Sequence, residues 1–400
     1  MDATQSLSTT RPAMADRHLL GFMLAASLAS TIGGLPFNSL PVMLGSLADS
    51  FGLTAQTVGL LGSICFAGYL LGTLGAPFWM NRLDWRVLTA VSALGTASAF
   101  AASAWVWSLP AMYVAWAAIG FFASTMTCLG MRILSDLPNK VRAFGVRQGV
   151  ELSVTAAVLF ALPPLVLAHF GYAGGALAVA AVVLLLGMSA WWVPMRPAPV
   201  FDDAQGQVLR SGLRLPAAAW LGVSVFFFFL VGNIGLWAFL ERIGAGLKLA
   251  PTETGLVFAV LKLLGGVAAF SVAAFGDRLG RRAAFSLVLG GVGIGLLLLG
   301  SASSFVPFAL GAWVWEFAFT CGCVFQTAAI ARSDASGRAV LLVPAAFALS
   351  SMVGPGLAGQ LLAQPGSGFG PLLMLALASS VIPLLATLLP TSLADEGSGL

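Results

Sequence analysis

The stretch Gly276-Asp277-Arg278-Leu279-Gly280-Arg281-Arg282 is a short basic turn between two long apolar runs. A weaker copy, Asn81-Arg82-Leu83-Asp84-Trp85-Arg86, lies 196 positions earlier (81 to 277) and shares two arginines and the leucine between them. Two further matches occur at the same offset: Gly59-Leu60 with Gly255-Leu256, and Arg142-Ala143 with Arg338-Ala339. Three local matches at one offset predict a chain built from two related halves.

The composition indicates a membrane protein. The chain is 59% hydrophobic and only 8% charged, whereas soluble domains carry about a quarter charged residues. Most of the molecular surface must therefore face lipid. The four cysteines lie inside apolar runs, and their spacing is not that of a metal site. We therefore expect neither a metal nor a cofactor, and interpret the cysteines as small packing residues.

The apolar runs are long enough for about twelve membrane-spanning helices, since one crossing takes about 20 residues. They cover roughly residues 18–41, 55–79, 87–108, 111–133, 148–168, 173–194, 216–240, 254–275, 284–303, 306–330, 339–362 and 370–390. The predicted fold is all-α, with two six-helix bundles at 18–194 and 216–390. A polar linker at 195–215 joins them, and the tails are 1–17 and 391–400. We expect Gly354-Pro355-Gly356 and Pro163-Pro164 to interrupt the eleventh and fifth spans, at corresponding places in the two halves. Such interruptions indicate either a transport pathway or a simple packing kink.

The distribution of basic residues predicts the orientation. With the amino terminus in the cytoplasm, sixteen of the 19 lysines and arginines fall on the cytoplasmic side. Arg242 and Lys248 fall outside, and Lys262 lies within a span. Basic residues in short loops mark the cytoplasmic face, so both termini should be cytoplasmic. Basic loops of this kind argue for membrane topology and against nucleic acid as a partner.

Two charged residues lie deep inside predicted spans. At 1.5 Å per residue, Lys262 lies about 12 Å and Glu316 about 15 Å from the outer end of its span. A charge at such depth costs at least about 3 kcal/mol, so these residues should face a cavity or each other. We predict that they pair and bind substrate; the alternative is a purely structural ion pair.

Other candidate site residues follow from spacing and depth. Asn233, Trp237 and Glu241 share one helical face through i, i+4, i+8 spacing. The predicted substrate-binding set is Lys262, Glu316, Asn233, Trp237, Trp313 and Asn38. The predicted proton-coupling set is Glu316, Glu241 and Glu151. Two alternatives stay open: Glu241 as a surface pair with Arg242, and Glu151 as a local i, i+4 pair with Arg147.

The chain resembles the major facilitator superfamily over nearly its whole length. The twelve spans in two halves carry this resemblance, together with the loop from Ala273 to Arg282. That loop is similar to the family's G-x-x-x-D-R-x-G-R-R motif, with Ala273 where the first glycine is usual. The first-half copy is degraded, with Asn81 in the acidic position. The resemblance implies a cavity between the bundles, lined by spans 1, 2, 4, 5, 7, 8, 10 and 11. An inner gate is predicted at Asp277, Arg278, Arg281, Arg282, Arg82 and Arg142.

The sequence predicts a secondary transporter and not an enzyme, because it holds no catalytic or nucleotide-binding motif. The favoured hypothesis is a monomeric importer of a small organic anion with protons, in a bacterial inner membrane. The alternatives are a proton-coupled drug or metabolite exporter and a transporter-like sensor or scaffold. The resemblance disfavours drug efflux, because drug–proton antiporters of this superfamily usually carry an arginine within span 4. Here span 4 has no arginine before Arg132, at its inner end. Lys262 favours an anionic substrate, since a cation in a cavity attracts anions.

Overall fold

A computed structural model describes residues 11–80, 82–135, 140–193, 215–275, 278–334, 339–364, 366 and 368–388. These residues are almost entirely helical. The long helices are α1 (Arg11–Phe51), α2 (Ala55–Met80), α3 (Trp85–Ser103), α4 (Leu109–Ser135), α5 (Lys140–Leu162), α6 (Ala168–Gly187), α7 (Ala217–Gly246), α8 (Pro251–Phe275), α9 (Arg281–Gly300), α10 (Phe305–Ser333), α11 (Val343–Leu362) and α12 (Gly370–Ala386). Each of the twelve predicted spans overlaps one of them. The predicted linker, except Leu215, and most of both predicted tails lie outside the described residues.

The boundary between the fifth and sixth spans is a bend and not a loop. Pro163 and Pro164 begin a π-helical turn (Pro163–Leu167), because proline has no N–H to donate to the preceding turn. Gly171 then adopts φ 56° and ψ −156°, which a residue with a side chain rarely can. The helical stretch Gly145–Trp191 is 47 residues long, enough for two crossings. It is one of eight stretches among the described residues that are long and apolar enough to span a membrane.

The structure differs from the sequence analysis in the extent of the first helix and in the continuity of the eleventh. The first helix runs from Arg11 to Phe51, well beyond the predicted 18–41, and includes Pro36 and Pro41. Helix α11 also runs without interruption through Gly354-Pro355-Gly356. In a packed membrane protein, neighbouring helices can satisfy the backbone groups that an internal proline frees, so proline need not end a helix.

Each half packs around its own first helix. In the first half α1 contacts α4, α5 and α6, and in the second half α7 contacts α10, α11 and α12. The halves meet where α2 packs on α11, α5 on α8 and α1 on α7. Large apolar side chains such as Leu71, Leu74 and Phe78 remain exposed, as expected of a surface that faces lipid.

Glycines allow the halves to approach closely at the predicted outer end, where α1 ends and α2 begins. A Cβ at Gly59 of α2 would overlap the carbonyl oxygen of Pro355 and lie 2.9 Å from the Cα of Gly359 in α11. A Cβ at Gly255 of α8 would lie 2.6 Å from the carbonyl oxygen of Phe160. Small residues permit such backbone contact between helices in a membrane. The two halves are therefore tightly packed at this end.

Candidate functional site

Lys262 of α8 and Glu316 of α10 lie side by side in the second half. Their Nζ and Oε1 atoms are 3.8 Å apart, and the residues are only 5% and 6% exposed. This separation fits an ion pair but is too long for a hydrogen bond. A Cβ at Gly265 would lie 3.0 Å from Glu316 Oε1, so the missing side chain leaves space for the carboxylate. The structure thus brings together the two charges that the sequence analysis paired from their similar depth in the membrane.

Aromatic rings from both halves surround the lysine. Its Nζ lies 3.7 Å from the centroid of the Trp237 ring and 5.7 Å from that of Phe37. A cation above an indole face is stabilised by the negative potential of the ring. Trp237 Nε1 donates to the carbonyl oxygen of Phe37 at 2.9 Å, which links α7 to α1. Phe37 also contacts Phe66 of α2 and Phe347 of α11.

A second charged cluster lies in the first half. Arg147 Nη2 donates to Glu151 Oε2 at 2.8 Å, and Arg147 Nε donates to Ser30 Oγ at 2.7 Å. Asn38 Nδ2 donates to Glu151 Oε1 at 3.4 Å. A Cβ at Gly34 would overlap the same carboxylate, which therefore lies against the backbone of α1. The local pair considered for Glu151 is present, and it is extended by contacts to α1.

The two clusters lie on helices that pack against each other. Helix α5, which carries Glu151, contacts α8, which carries Lys262. One turn beyond Lys262, a Cβ at Gly266 would lie 2.8 Å from Leu152 Cδ1 of α5. The two halves thus contribute two cations and two carboxylates to one region, and their formal charges cancel.

Glu241 lies apart from these clusters, near the predicted outer end. Arg242 Nε donates to Glu241 Oε2 at 2.8 Å, and Arg242 Nη1 donates to Asp49 Oδ1 of α1 at 2.6 Å. The Glu241 carboxylate also lies against Gly45, where a Cβ would overlap it. The interaction with Arg242 that the sequence suggested is present, and Arg242 additionally joins the two halves through Asp49.

The polar atoms of Asn233 and Trp313 form hydrogen bonds elsewhere in the second half. Asn233 Oδ1 accepts from Trp315 Nε1 at 2.9 Å, and its Nδ2 donates to Phe229 O at 2.9 Å and to Ser380 Oγ at 3.0 Å. This network joins α7, α10 and α12. Trp313 Nε1 donates to the carbonyl oxygen of Val257 at 3.0 Å. The structure does not bring the polar atoms of these two residues to the Lys262–Glu316 pair.

We expect Asn233→Leu to destabilise the protein without weakening substrate binding. The change removes the acceptor of the buried Trp315 N–H, which costs about 1–3 kcal/mol for an unsatisfied donor. The unfolding temperature in detergent should fall, while the substrate Kd stays within about twofold of wild type. Asn38→Ala is the contrasting variant. Because Asn38 contacts Glu151, this change should weaken substrate binding. A large loss of affinity in Asn233→Leu with unchanged stability would support the predicted role of Asn233 in substrate binding.

The predicted inner-gate residues are only partly described. Asp277 and the side chain of Arg142 lie outside the described residues. Arg82, Arg278, Arg281 and Arg282 are exposed at the ends of the α2–α3 and α8–α9 loops. Arg281 Nη2 lies 3.5 Å from the carbonyl oxygen of Ala386 in α12. The gate therefore remains a prediction.

Sequence reasoning missed Phe37 and Asp49. Only its position could have indicated Asp49. It is a carboxylate near the predicted outer end of the first apolar run, and Arg242 lies near the predicted outer end of α7. Phe37 gave no signal, because one phenylalanine among 28 is not distinctive. Its importance depends on the packing of α1 against α2, α7, α8 and α11.

The chain belongs to the major facilitator superfamily, whose family model matches residues 22–330. Like other members of this transporter family, it is an integral membrane protein and not an enzyme. A comparison of the sequence with curated proteins found no significant match.

Solved structures with the same fold include three transporters. A bacterial homologue of the human lysosomal transporter Spinster is 14% identical, with a TM-score of 0.67, over 94% of this chain and 96% of that chain. A D-xylose–proton symporter is 15% identical, with a TM-score of 0.70, over 96% and 100%. The nucleoside transporter NupG is 13% identical, with a TM-score of 0.72, over 92% and 99%. At this identity the likeness establishes the fold, and the substrate has to be argued from the site.

Proposed function

We propose that this chain imports a small organic anion together with protons, with Lys262 and Glu316 at the centre of its binding site. The observation that carries the proposal is the buried 3.8 Å pair. A buried ion pair gives little net stability, because desolvation offsets the attraction between the charges. Stability therefore does not account for two such charges next to the contact between the halves, whereas a functional role does.

The contacts of Lys262 suit an exchangeable partner. Its Nζ makes a long ion pair and a contact with the face of Trp237, and neither of these uses the directional N–H donors fully. A substrate carboxylate that approached Lys262 would make shorter, charge-assisted hydrogen bonds. The rings of Trp237 and Phe37 would pack against the apolar part of such a substrate.

Charge balance supports the coupling to protons. The two clusters are neutral together, so an anion that enters alone adds an uncompensated buried charge. A proton on Glu316 removes that excess. Once the anion engages Lys262, the lysine holds Glu316 ionised less strongly, so that substrate and proton bind cooperatively. By linkage each must raise the affinity for the other by the same factor.

Alternating access requires that the contacts at the predicted outer end open. We expect Gly59→Leu to hinder their closure, because its side chain would overlap the backbone of α11. Overpacking costs about 1–3 kcal/mol, which lowers the ratio of closed to open protein roughly 5- to 150-fold. Spin labels at Gln56 and Ala363, in a variant without native cysteines, would report a longer distance across this end.

Gly290→Leu is the matched control for this prediction. It makes the same change in α9, where a Cβ meets nothing within 4 Å. The label distance should then match that of the parent protein. An unchanged distance in Gly59→Leu would show that the α2–α11 contact does not limit closure.

The function is tested by flux in liposomes. The purified protein is screened for binding to carboxylates, sugars, nucleosides, amino acids and drugs, and the best ligand is then assayed for uptake with and without a pH gradient. Uptake of an anion driven by a gradient that is acidic on the outside supports the proposal. Proton-driven flux in the opposite direction would identify an exporter, and binding without flux would identify a sensor.

A further inference from the structure

A lateral groove of about 570 Å³ lies between α8, α9 and α10, apart from the charged clusters. Its walls include Leu264, Val272, Leu287, Gly291, Phe317 and Phe325. Three of the lining side chains can donate a hydrogen bond, and all three are engaged. Ser271 Oγ donates to the carbonyl oxygen of Val267, and Trp313 Nε1 donates to that of Val257. Cys321 Sγ donates weakly to the carbonyl oxygen of Ala268 at 3.9 Å. The described residues that line the groove therefore offer apolar contact and no unsatisfied side-chain donor.

The position and length of the groove match one leaflet of a bilayer. It extends along α10 from Trp313 to Phe325, which is about 18 Å at 1.5 Å per residue. Half of a hydrocarbon core of about 30 Å is about 15 Å. One end reaches Leu279, in the α8–α9 loop, so the groove begins at the predicted cytoplasmic surface. Leu287, 62% exposed, lies on its wall and faces the surroundings of the protein.

Positive charge lies at the loop end of the groove. Arg281 and Arg282 are exposed in the first turn of α9, two and three residues beyond the lining residue Leu279. Arg281 Nη2 also donates a long hydrogen bond of 3.5 Å to the carbonyl oxygen of Ala386 in α12. Among the described residues no side chain caps this helix, whose N-cap residue is Gly280. An uncapped helix start carries partial positive charge, which adds to that of the two arginines. An apolar groove one leaflet long thus ends at a site suited to a phosphate.

We propose that this groove holds an acyl chain of an anionic phospholipid from the cytoplasmic leaflet, with its phosphate at Arg281 and Arg282. Within hydrocarbon, the molecule available to fill an apolar groove is a lipid chain. The arginines supply selectivity for the negative headgroup, since juxtamembrane basic residues attract anionic lipids. The inference concerns lipid and not transported solute, so it does not depend on the proposed substrate.

The test is native mass spectrometry of the purified protein titrated with dioleoyl phosphatidylglycerol or dioleoyl phosphatidylcholine. The wild type should bind the first phosphatidylglycerol on the order of tenfold more tightly than phosphatidylcholine. Arg281→Gln/Arg282→Gln should abolish that preference. The control Arg82→Gln/Lys248→Gln removes two exposed charges elsewhere and should retain it. Retention of the preference in the first double variant would overturn the headgroup site.

The acyl site is tested by filling the groove. The probe is a phosphatidylglycerol that carries a photoreactive diazirine on its acyl chain. In the wild type it should cross-link to peptides of α9 and α10, and Val272→Trp should prevent this. Ser271→Phe is the second variant, so that a misfolded Val272→Trp does not decide the result. Thermal unfolding identifies the folded variants. Unchanged cross-linking to these peptides in a folded, filled variant would show that the chain binds elsewhere.

Discussion

Replacing Lys262 by alanine is expected to weaken the binding of anionic substrates roughly 10- to 100-fold, the range for losing a hydrogen bond to a charged group. Neutral analogues of the same shape should lose less than about threefold, because the Trp237 and Phe37 rings remain. The difference between the two ligand classes is the informative quantity. Isothermal titration in detergent, or scintillation proximity binding, measures it directly.

The single variant also leaves Glu316 buried without its cation, and breaking a buried pair costs about 3–5 kcal/mol. Lys262→Met/Glu316→Gln is therefore the decisive companion, since it removes both charges and conserves volume. We expect it to be more stable than Lys262→Ala and still unable to select anions. Lys248→Ala, a change at an exposed lysine, should bind as wild type. A folded double variant with wild-type anion affinity would establish the purely structural interpretation of the pair.

Glu316→Gln is expected to abolish the stimulation of uptake by a pH gradient while substrate exchange continues. Glutamine keeps the shape of a protonated glutamate but cannot release the proton, so the carrier cycles without coupling. Wild-type uptake should rise as the outside becomes more acidic, whereas uptake by the variant should be flat over the same range. Proteoliposome uptake and counterflow, measured on one preparation, separate coupling from turnover.

Glu253→Gln is the matched control for coupling. Glu253 is in the first turn of α8, where its carboxylate accepts from the backbone N–H of Ala250. Removing this acid should leave gradient-driven uptake intact. If Glu316→Gln accumulated substrate at the wild-type level, the proton site would lie elsewhere. Glu241→Gln and Glu151→Gln would then be tested in that order.

The charged pair illustrates what depth alone can predict. Lys262 and Glu316 were matched because each is a charge at similar depth in an apolar run, and such residues are rare and costly in a membrane. Sequence could not tell that the lysine also lies over Trp237 or that the helix of Glu151 packs against the helix of the lysine. Those contacts depend on the arrangement of α1, α5, α7 and α8. No short-range sequence signal specifies that arrangement.

The predicted role of Asn233 shows the limit of helical spacing. Spacing placed it on one face with Trp237 and Glu241, and that periodicity is a property of any helix. These three positions span about 80° of the helix circumference at 3.6 residues per turn, and their residues meet different neighbours. Trp237 reaches α1 and α8, Glu241 lies against Gly45, and the Asn233 amide is bound by α10 and α12. Which neighbour each residue meets is decided by packing.

The sequence by itself determined the class of protein, the positions of the spans and the relation between the halves. Those properties follow from hydropathy and from local motifs, which each segment carries without its neighbours. The tertiary structure alone decided the continuity of α11, the contact of Phe37 with Lys262, and the Asp49–Arg242 link between the halves. Helices that are apolar on every side carry no stripe that marks their inward face. Their rotation and partners are set by close packing of small residues and by a few buried polar contacts, which exist only once the helices have assembled.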